Sequence, residues 1–199
     1  MLAATVLSST LLLYSLISSL PPAITPEFSC LVRVDIRWAL THYILAGMLV
    51  VDYTEDSMFA YVYGDEPGTI WGKINTSIVV SPAHNNSDKL VNLWQVKNGV
   101  ECTSSQVKAS EIPAFKLPPT ATYIDKEMVQ DVLCDVWQVK NPMPQVYYIN
   151  FFVNNSNVYQ LQVGYTTAAA VYLEINVYFI NHDLSKPDPT WFDKPPVCS

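Results

Sequence analysis

The stretch that decides the fold is Phe28-Ser29-Cys30-Leu31-Val32-Arg33-Val34-Asp35-Ile36-Arg37-Trp38. Apolar side chains occupy every second position of this stretch, and the polar residues Arg33, Asp35 and Arg37 stand between them. Successive side chains of a β-strand point to opposite faces of a sheet. The period of two therefore predicts a strand with one buried face and one solvated face.

The same period recurs along the rest of the chain. The clearest runs are Tyr159–Tyr165 and Val171–Phe179, and less regular ones lie at Tyr43–Tyr53, Met58–Tyr63, Ile74–Val80, Leu90–Val96, Val132–Lys140 and Val146–Val153. Several of these runs are apolar on both faces, which is typical of central strands covered on each side. Turn residues separate them, and Asn98-Gly99 predicts a hairpin because both residues tolerate positive φ.

Helical patterns are nearly absent from the sequence. No segment carries a sustained apolar stripe at helical spacing, and no repeat is evident. One short helix is predicted near Ser104–Ser110, ahead of an extended connector at Pro113–Pro119. We therefore predict a mainly β domain with at most one or two short helices.

The N-terminal segment bears on the compartment. Leu2–Leu20 is apolar and uncharged, and Pro21-Pro22-Ala23 follows it. This pattern predicts a signal peptide over residues 1–23, cleaved near Ala23, and a secreted domain over residues 24–199. The alternative is a retained membrane anchor, but so short a run with serine-rich ends would span a bilayer poorly. We expect no integral membrane segment after cleavage.

The cysteines and glycosylation sequons agree with secretion. The four cysteines, Cys30, Cys102, Cys134 and Cys198, are widely spaced, with no C-x-x-C pair and no nearby histidine, so we expect two disulfides and no metal. Four cysteines allow three connectivities, and the spacing does not choose among them. Acceptor sequons begin at Asn75, Asn85 and Asn154.

Composition and motifs narrow the function. The chain has 199 residues, half of them hydrophobic, with a net charge of −7 and no Lys/Arg cluster, which argues against a nucleic-acid partner. No hydrolase motif is present, so we expect no enzyme, no catalytic residues and no cofactor. Acidic residues near two turns could bind calcium, but without an EF-hand pattern a solvated turn is the preferred interpretation; these residues are Asp52, Glu55, Asp56, Asp65 and Glu66.

Taken in order, several motifs resemble the secreted eukaryotic LolA-like proteins, relatives of ependymin and of a domain at the N-terminus of some protist cysteine proteases. The motifs that carry this resemblance are Phe28-Ser29-Cys30-Leu31-Val32, Gly47 to Thr54 with Ser57-Met58, Cys102 ahead of Ile112-Pro113-Ala114-Phe115 and Pro118, Val132-Leu133-Cys134-Asp135-Val136-Trp137, and the end from Val177 to Asn181 with Pro187, Phe192 and Pro195-Pro196-Val197-Cys198. The resemblance spans nearly the whole mature chain. Two residues depart from the family pattern: Asp131 stands where a glycine is usual, and Cys30 where a small residue is common.

The resemblance implies a fold and a ligand. The fold would be a long antiparallel sheet curled into a LolA-like half-barrel, with an apolar concave face that holds a lipid or acyl chain. From the strands that are apolar on both faces, we predict that the cavity is lined by Met48, Val50, Trp137, Tyr147, Ile149 and Phe151. The predicted disulfides are Cys102–Cys134 and Cys30–Cys198.

Two alternatives to a lipid carrier stay open. One is an extracellular matrix or adhesion module of the ependymin type that binds no lipid. The other is that the connector at Pro113–Pro119 and the tail around Trp191-Phe192 fold over the sheet and fill the space themselves.

Overall fold

The computed structural model describes residues 21–38, 41–65, 73–83, 89–109, 117–166 and 172–198. The strands are β1 Glu27–Trp38, β2 Thr41–Asp52, β3 Ser57–Asp65, β4 Lys73–Pro82, β5 Leu90–Lys97, β6 Glu101–Lys108, β7 Thr122–Val129, β8 Val132–Met143, β9 Val146–Asn154, β10 Asn157–Thr166 and β11 Tyr172–Asp183. A short 3₁₀ helix at Pro189–Phe192 follows them.

All eleven strands belong to one antiparallel sheet in the order β6-β5-β4-β3-β2-β1-β11-β10-β9-β8-β7. The chain begins in the middle of the sheet at β1 and moves strand by strand to the edge at β6. It then crosses to the opposite edge at β7 and returns to β11, which pairs with β1. Because β6 and β7 do not pair, the sheet stays open. The predicted mainly β class, a curled antiparallel sheet, is confirmed.

The pairing register divides the side chains into two faces. We call the face that carries Cys30 and Val32 the inner face, and the opposite one the outer face. Cys30 lies opposite Leu49, and Val32 lies opposite Phe179, so the alternation predicted for β1 continues across its neighbours. Buried inner-face residues, joined by Ala121 from outside the sheet, form the main core, which consists of Phe28, Cys30, Val32, Leu49, Val51, Ala121, Trp137, Val139, Phe151, Val153, Val158, Leu161 and Phe179.

Segments outside the sheet cover part of the inner face. Ile24, from the segment before β1, packs against the core. Leu117 and Ala121, at the end of the connector between β6 and β7, do the same. In the described part of the chain, a curled sheet and two irregular segments therefore build this core without an α-helix. Of the predicted connector Pro113–Pro119, residues 113–116 lie outside the described residues.

The C-terminal tail lies on the outer face. The ring of Trp191 packs 5.1 Å from that of Phe59 on β3, and the neighbouring Phe192 is buried. Phe59 belongs to the outer face because it lies opposite Val50, whose partner on β1 is Ser29. The tail therefore fills space on the outer face, as one of the alternatives above expected for its aromatic residues.

Two predictions about local structure were wrong. The helix expected near Ser104–Ser110 is instead the strand β6 as far as Lys108. β7 was not predicted at all, because Thr122–Val129 carries three charged residues in succession and is exposed along most of its length. The predicted hairpin turn is correct: Asn98 and Gly99 adopt φ values of 53° and 71°.

Candidate apolar binding face

Burial changes along the inner face. Near the start of β1 and the end of β2 the inner-face side chains are buried, and toward the other end of these strands they become partly exposed, with the exception of Tyr43, which is buried. The partly exposed residues form a continuous patch over β1, β2, β3, β9, β10 and β11, which we call the upper strip: Val34, Ile36, Leu45, Val62, Ile149, Val163, Ile175 and Val177.

Register holds the upper strip together. Val34 lies opposite Val177 on one side and Leu45 on the other, and Val163 lies opposite both Ile149 and Ile175. Directly opposed side chains of antiparallel strands have Cβ atoms about 5 Å apart, so these residues contact one another. Val34, Ile149 and Val177 also pack against the buried core. The strip is thus a rigid apolar surface continuous with the core.

The six predicted lining residues do not share one site. Trp137, Ile149 and Phe151 come together on the inner face, where Trp137 pairs with Phe151 and Ile149 belongs to the next row. Tyr147 follows on β9 but is 56% exposed. Residues from two neighbouring strands therefore lie side by side on the inner face, with Tyr147 at their margin, and their role in lining a ligand cavity stays a prediction.

Met48 and Val50 lie on the outer face, so their predicted place in the cavity is wrong. Met48 pairs with Leu31 and Val50 with Ser29, both outer-face residues of β1. Val50 is fully buried. The tail crosses this region, since Lys186 Nζ lies 4.0 Å from Asp52 Oδ2 at the end of the same strand. Both faces of β2 are apolar because one packs in the core and the other lies near the tail.

Trp137 has an unusual environment on the inner face. Its side chain is only 3% exposed, and its ring meets that of Tyr123 edge to face at 5.7 Å. The indole Nε1–H has no hydrogen-bond partner. Among the described residues it is the only buried side-chain nitrogen or oxygen in this condition. The aromatic packing is therefore satisfied, but the polar atom is not.

A polar band crosses the outer face, and sequence analysis missed it. Gln138 donates to Asn150, which donates to Gln162, linking β8, β9 and β10. Gln160 donates to Asn176, which donates to Glu174. The amides of adjacent strands satisfy one another, so they can be buried at little cost. The alternation of polar residues was visible in the sequence, but their partners depend on register.

The polar band ends near two small cavities. One of about 230 Å³ is lined by Arg33, Asp35, Gln130, Tyr178 and Ile180. Asp35 accepts both Arg33 Nε at 2.8 Å and Nη2 at 3.1 Å, so the carboxylate is already paired. Burial, with the nearby Asp35 charge, raises the pKa of Tyr178. The other cavity, of about 330 Å³, is lined by Gln130, Asn157, Tyr159, Phe179, Ile180, Asn181, His182 and Leu184.

The disulfide is not one of the predicted pairs. Cys102 on β6 is bonded to Cys198 in the tail, and Cys30 and Cys134 are free and buried. Cys30 lies on the inner face of β1, whereas Cys134 belongs to a separate buried cluster with Val136 and Phe152. The predicted pairs Cys102–Cys134 and Cys30–Cys198 are therefore wrong. Burial raises the pKa of the Cys30 thiol to about 12 and that of Cys134 to about 11.

The remaining predicted sites have ordinary environments where they are described. Asp52 caps its turn, accepting from Thr54 Oγ1 at 2.6 Å and from the backbone N–H groups of Thr54 and Glu55. No set of three His, Cys, Asp or Glu side chains in the described ranges is grouped to hold a metal.

The sequons differ in their surroundings. Asn75 lies within β4, and Asn154 Nδ2 donates to the Leu133 carbonyl at 2.8 Å at the end of β9. Asn85 lies outside the described residues. Glycosylation at the three positions stays a prediction.

The signal-peptide prediction concerns Leu2–Leu20, which lies outside the described residues. Of the part that the structure describes, no helix has the length and apolarity needed to cross a membrane.

No family profile matches the chain. No curated protein sequence matches it either. Among solved structures it is similar to a LolA superfamily protein from Nitrosomonas europaea, with 8% identity and a TM-score of 0.42 over 85% of this chain and 91% of that one. It is similar to a DUF1329 family protein from Desulfovibrio piger, with 6% identity and a TM-score of 0.39 over 85% and 90%. A third likeness is to a domain described as an outer membrane lipoprotein-sorting protein from Vibrio parahaemolyticus, with 6% identity and a TM-score of 0.41 over 87% and 92%. The LolA superfamily, which the sequence resembles, is thus among the neighbours, but at these low scores the likeness assigns the chain neither a family nor a function.

Proposed function

We propose that this protein is a secreted, non-enzymatic carrier or sensor that binds a lipid or acyl chain over the upper strip. The observation that supports the proposal is the gradient of burial along the inner face. Aliphatic residues on six strands form one apolar surface that is only partly removed from water. A surface of this kind, rigidly backed by a core and contiguous, is a favourable site for an apolar ligand.

The energy available is sufficient for binding. Each square ångström of apolar surface removed from water contributes roughly 25 cal/mol. A chain that covers about 300 Å² of the strip also removes a similar area of its own from water, so that about 600 Å² is buried and the gain is on the order of 15 kcal/mol before the cost of association, several kcal/mol in itself, is subtracted. This is compatible with micromolar affinity for a long chain and with little affinity for a short one.

Secretion is part of the proposal. The bond between Cys102 and Cys198 supports it, because disulfides persist in oxidising compartments. The apolar segment Leu2–Leu20 and the three sequons support it as well. We expect the secreted protein to begin near Ala23. N-terminal sequencing of material from the culture medium tests this, and a retained Leu2–Leu20 would contradict it.

Binding of the environment-sensitive dye N-phenyl-1-naphthylamine, before and after extraction of the protein with organic solvent, tests the ligand. Ile175→Asp places a carboxylate in the middle of the upper strip, where charge is poorly tolerated. We expect the dye affinity to fall at least about 10-fold. The matched control is Leu31→Asp on the outer face of the adjacent strand, where Leu31 is 50% exposed. It should leave the affinity unchanged.

Circular dichroism must show that both variants are folded before their affinities are compared. If the extracted wild-type protein does not bind the dye, the proposed lipid site is wrong. Self-association of that unliganded protein would then favour the alternative of an extracellular interaction module. Equal losses in the two variants would also contradict a site on the inner face.

A further inference from the structure

The unpaired indole N–H of Trp137 identifies a place for a polar atom in an otherwise apolar site. Buried tryptophans usually donate this N–H to an acceptor, because a buried donor without one loses its hydrogen bond to water and gains nothing in return. Here the side chain is 3% exposed, and Nε1 has no partner. The other buried amides nearby on the outer face are all paired into the polar band.

Trp137 is next to the proposed ligand site. It pairs with Phe151, and the following row, Val139 with Ile149, leads into the upper strip. Ile149 is partly exposed and packs against the same core. A molecule that lies over the strip and extends along β8 and β9 would therefore reach the row beside Trp137, where its end contacts the buried Nε1 once the side chains that cover this atom move aside.

The charges around Trp137 favour a neutral acceptor. Lys126 is paired with Asp135 on the inner face of β7 and β8, with Nζ 3.3 Å from Oδ1. Among the described inner-face residues of β7, β8 and β9 there is no second cation. A carboxylate buried beside Trp137 would lack a counter-ion, whereas an ester carbonyl needs only a donor.

We infer that the ligand is an ester-linked acyl chain whose carbonyl oxygen accepts the Nε1–H of Trp137. This inference rests on the proposed function and adds a polar requirement to it. The hydrocarbon chain supplies affinity through the upper strip, and the carbonyl supplies selectivity for acyl esters over plain hydrocarbons. A donor left unpaired in the free protein gains its full hydrogen bond only when such a ligand arrives.

The test is displacement of the bound dye by three compounds of about equal length: methyl decanoate, dodecane and decanoic acid at neutral pH. The variant is Trp137→Phe, which keeps an aromatic ring and removes the N–H. The matched control is Trp94→Phe, on the outer face of β5, since Trp94 lies opposite Val79. We expect the affinity of Trp137→Phe for methyl decanoate to be about 5- to 10-fold lower than that of the wild type, which is the loss expected for one neutral hydrogen bond. The affinities for dodecane and for the dye should stay unchanged.

The outcomes separate the two claims. If none of the three compounds displaces the dye from the wild-type protein, the proposed function fails and the inference with it. If Trp137→Phe loses affinity for dodecane and for methyl decanoate equally, or loses affinity for neither, the carbonyl contact is wrong and the apolar site stands. If decanoic acid binds more tightly than methyl decanoate, the assignment of a neutral ester is overturned.

A second measurement avoids the variant, in case Trp137→Phe does not fold. The carbonyl stretch of methyl decanoate, labelled with ¹³C at the carbonyl carbon, is recorded by infrared spectroscopy on the wild-type protein. A hydrogen-bonded carbonyl absorbs at lower wavenumber than a free one. We expect the lower value for bound ester, and a value equal to that in a hydrocarbon solvent would overturn the inference.

Discussion

The two free cysteines show how burial controls chemistry at a single residue. Cys30 and Cys134 lie in different clusters, too well enclosed for a thiol to lose its proton easily, and their pKa values rise to about 12 and about 11. The thiolate is the reactive species, so a raised pKa suppresses alkylation and oxidation. These two residues therefore behave as small hydrophobic side chains.

We expect the thiol count to depend on folding in a defined way. At pH 8 an alkylating reagent should modify no cysteine of the native protein. In the unfolded but unreduced protein it should modify two, Cys30 and Cys134. Reduction should expose the other two. Mass spectrometry after alkylation counts the modified residues. A count of zero in denaturant without reductant would mean two disulfides, and the bond assignment described above would be incomplete.

His182 gives the stability a dependence on pH. Burial lowers its pKa from the ordinary value of 6.5, and the neutral ring donates Nε2–H to the Val158 carbonyl at 2.8 Å. Because the folded pKa is the lower one, the unfolded chain takes up the proton first as the pH falls. The contribution of His182 is complete above about pH 6.5 and is lost as the pH falls from there through the folded pKa.

Replacement of His182 by glutamine, which can also donate from Nε2, should make stability less sensitive to acid. We expect the melting temperature of His182→Gln to fall less steeply between pH 7 and pH 5 than that of the wild type. The titration of the ring protons by NMR gives the folded pKa directly. Parallel melting curves for the two proteins, or a folded pKa at or above the ordinary value, would contradict this account.

At the scale of the strand, the alternation of apolar and polar residues predicts where a strand lies better than it predicts which of its faces is the inner one. β1 was predicted almost to the residue, because all its apolar residues except Leu31 share one face and its charged residues share the other. β2 was predicted as a strand, yet Met48 and Val50 were given to the wrong side. Both faces of β2 are apolar, and only the register with β1 shows which of them is the inner one.

β7 shows the opposite limit of prediction from sequence. Asp125, Lys126 and Glu127 are consecutive, which hides the alternation of a strand. β7 is an edge strand, paired only with β8, and its charges discourage a further strand from adding to the open side. The charged residues that hid the strand in the sequence are therefore the ones that suit it to the edge of the sheet. Sequence could predict the core of the sheet, but not which strand forms its edge.

For the whole molecule, the decisive contact is between the tail and the far edge of the sheet. Cys102 lies on the edge strand β6, and Cys198 comes 96 residues later, after the chain has passed through the other half of the sheet. No spacing rule could select this pair, because it depends on where the tail returns after β11. The contact between the rings of Trp191 and Phe59 shows that the tail returns across the outer face.

This disulfide should be a major source of stability. Closing a loop of about 100 residues restricts the unfolded chain by roughly 4 to 5 kcal/mol in the entropic model, and the tail also packs on the outer face against β3. We expect Cys102→Ser/Cys198→Ser to lower the free energy of unfolding by about 2 to 5 kcal/mol, as measured by denaturant titration.

Hydrogen exchange in this variant should accelerate first in β6 and around Pro189–Phe192 and last in β1 and β11, which lie at the centre of the sheet. The matched control is Cys30→Ala/Cys134→Ala, which leaves the loop closed, buries no new polar group and should leave exchange in β6 slow. Unchanged exchange in the tail of the first variant would show that packing alone holds it, and the bond would then have no role in covering the outer face.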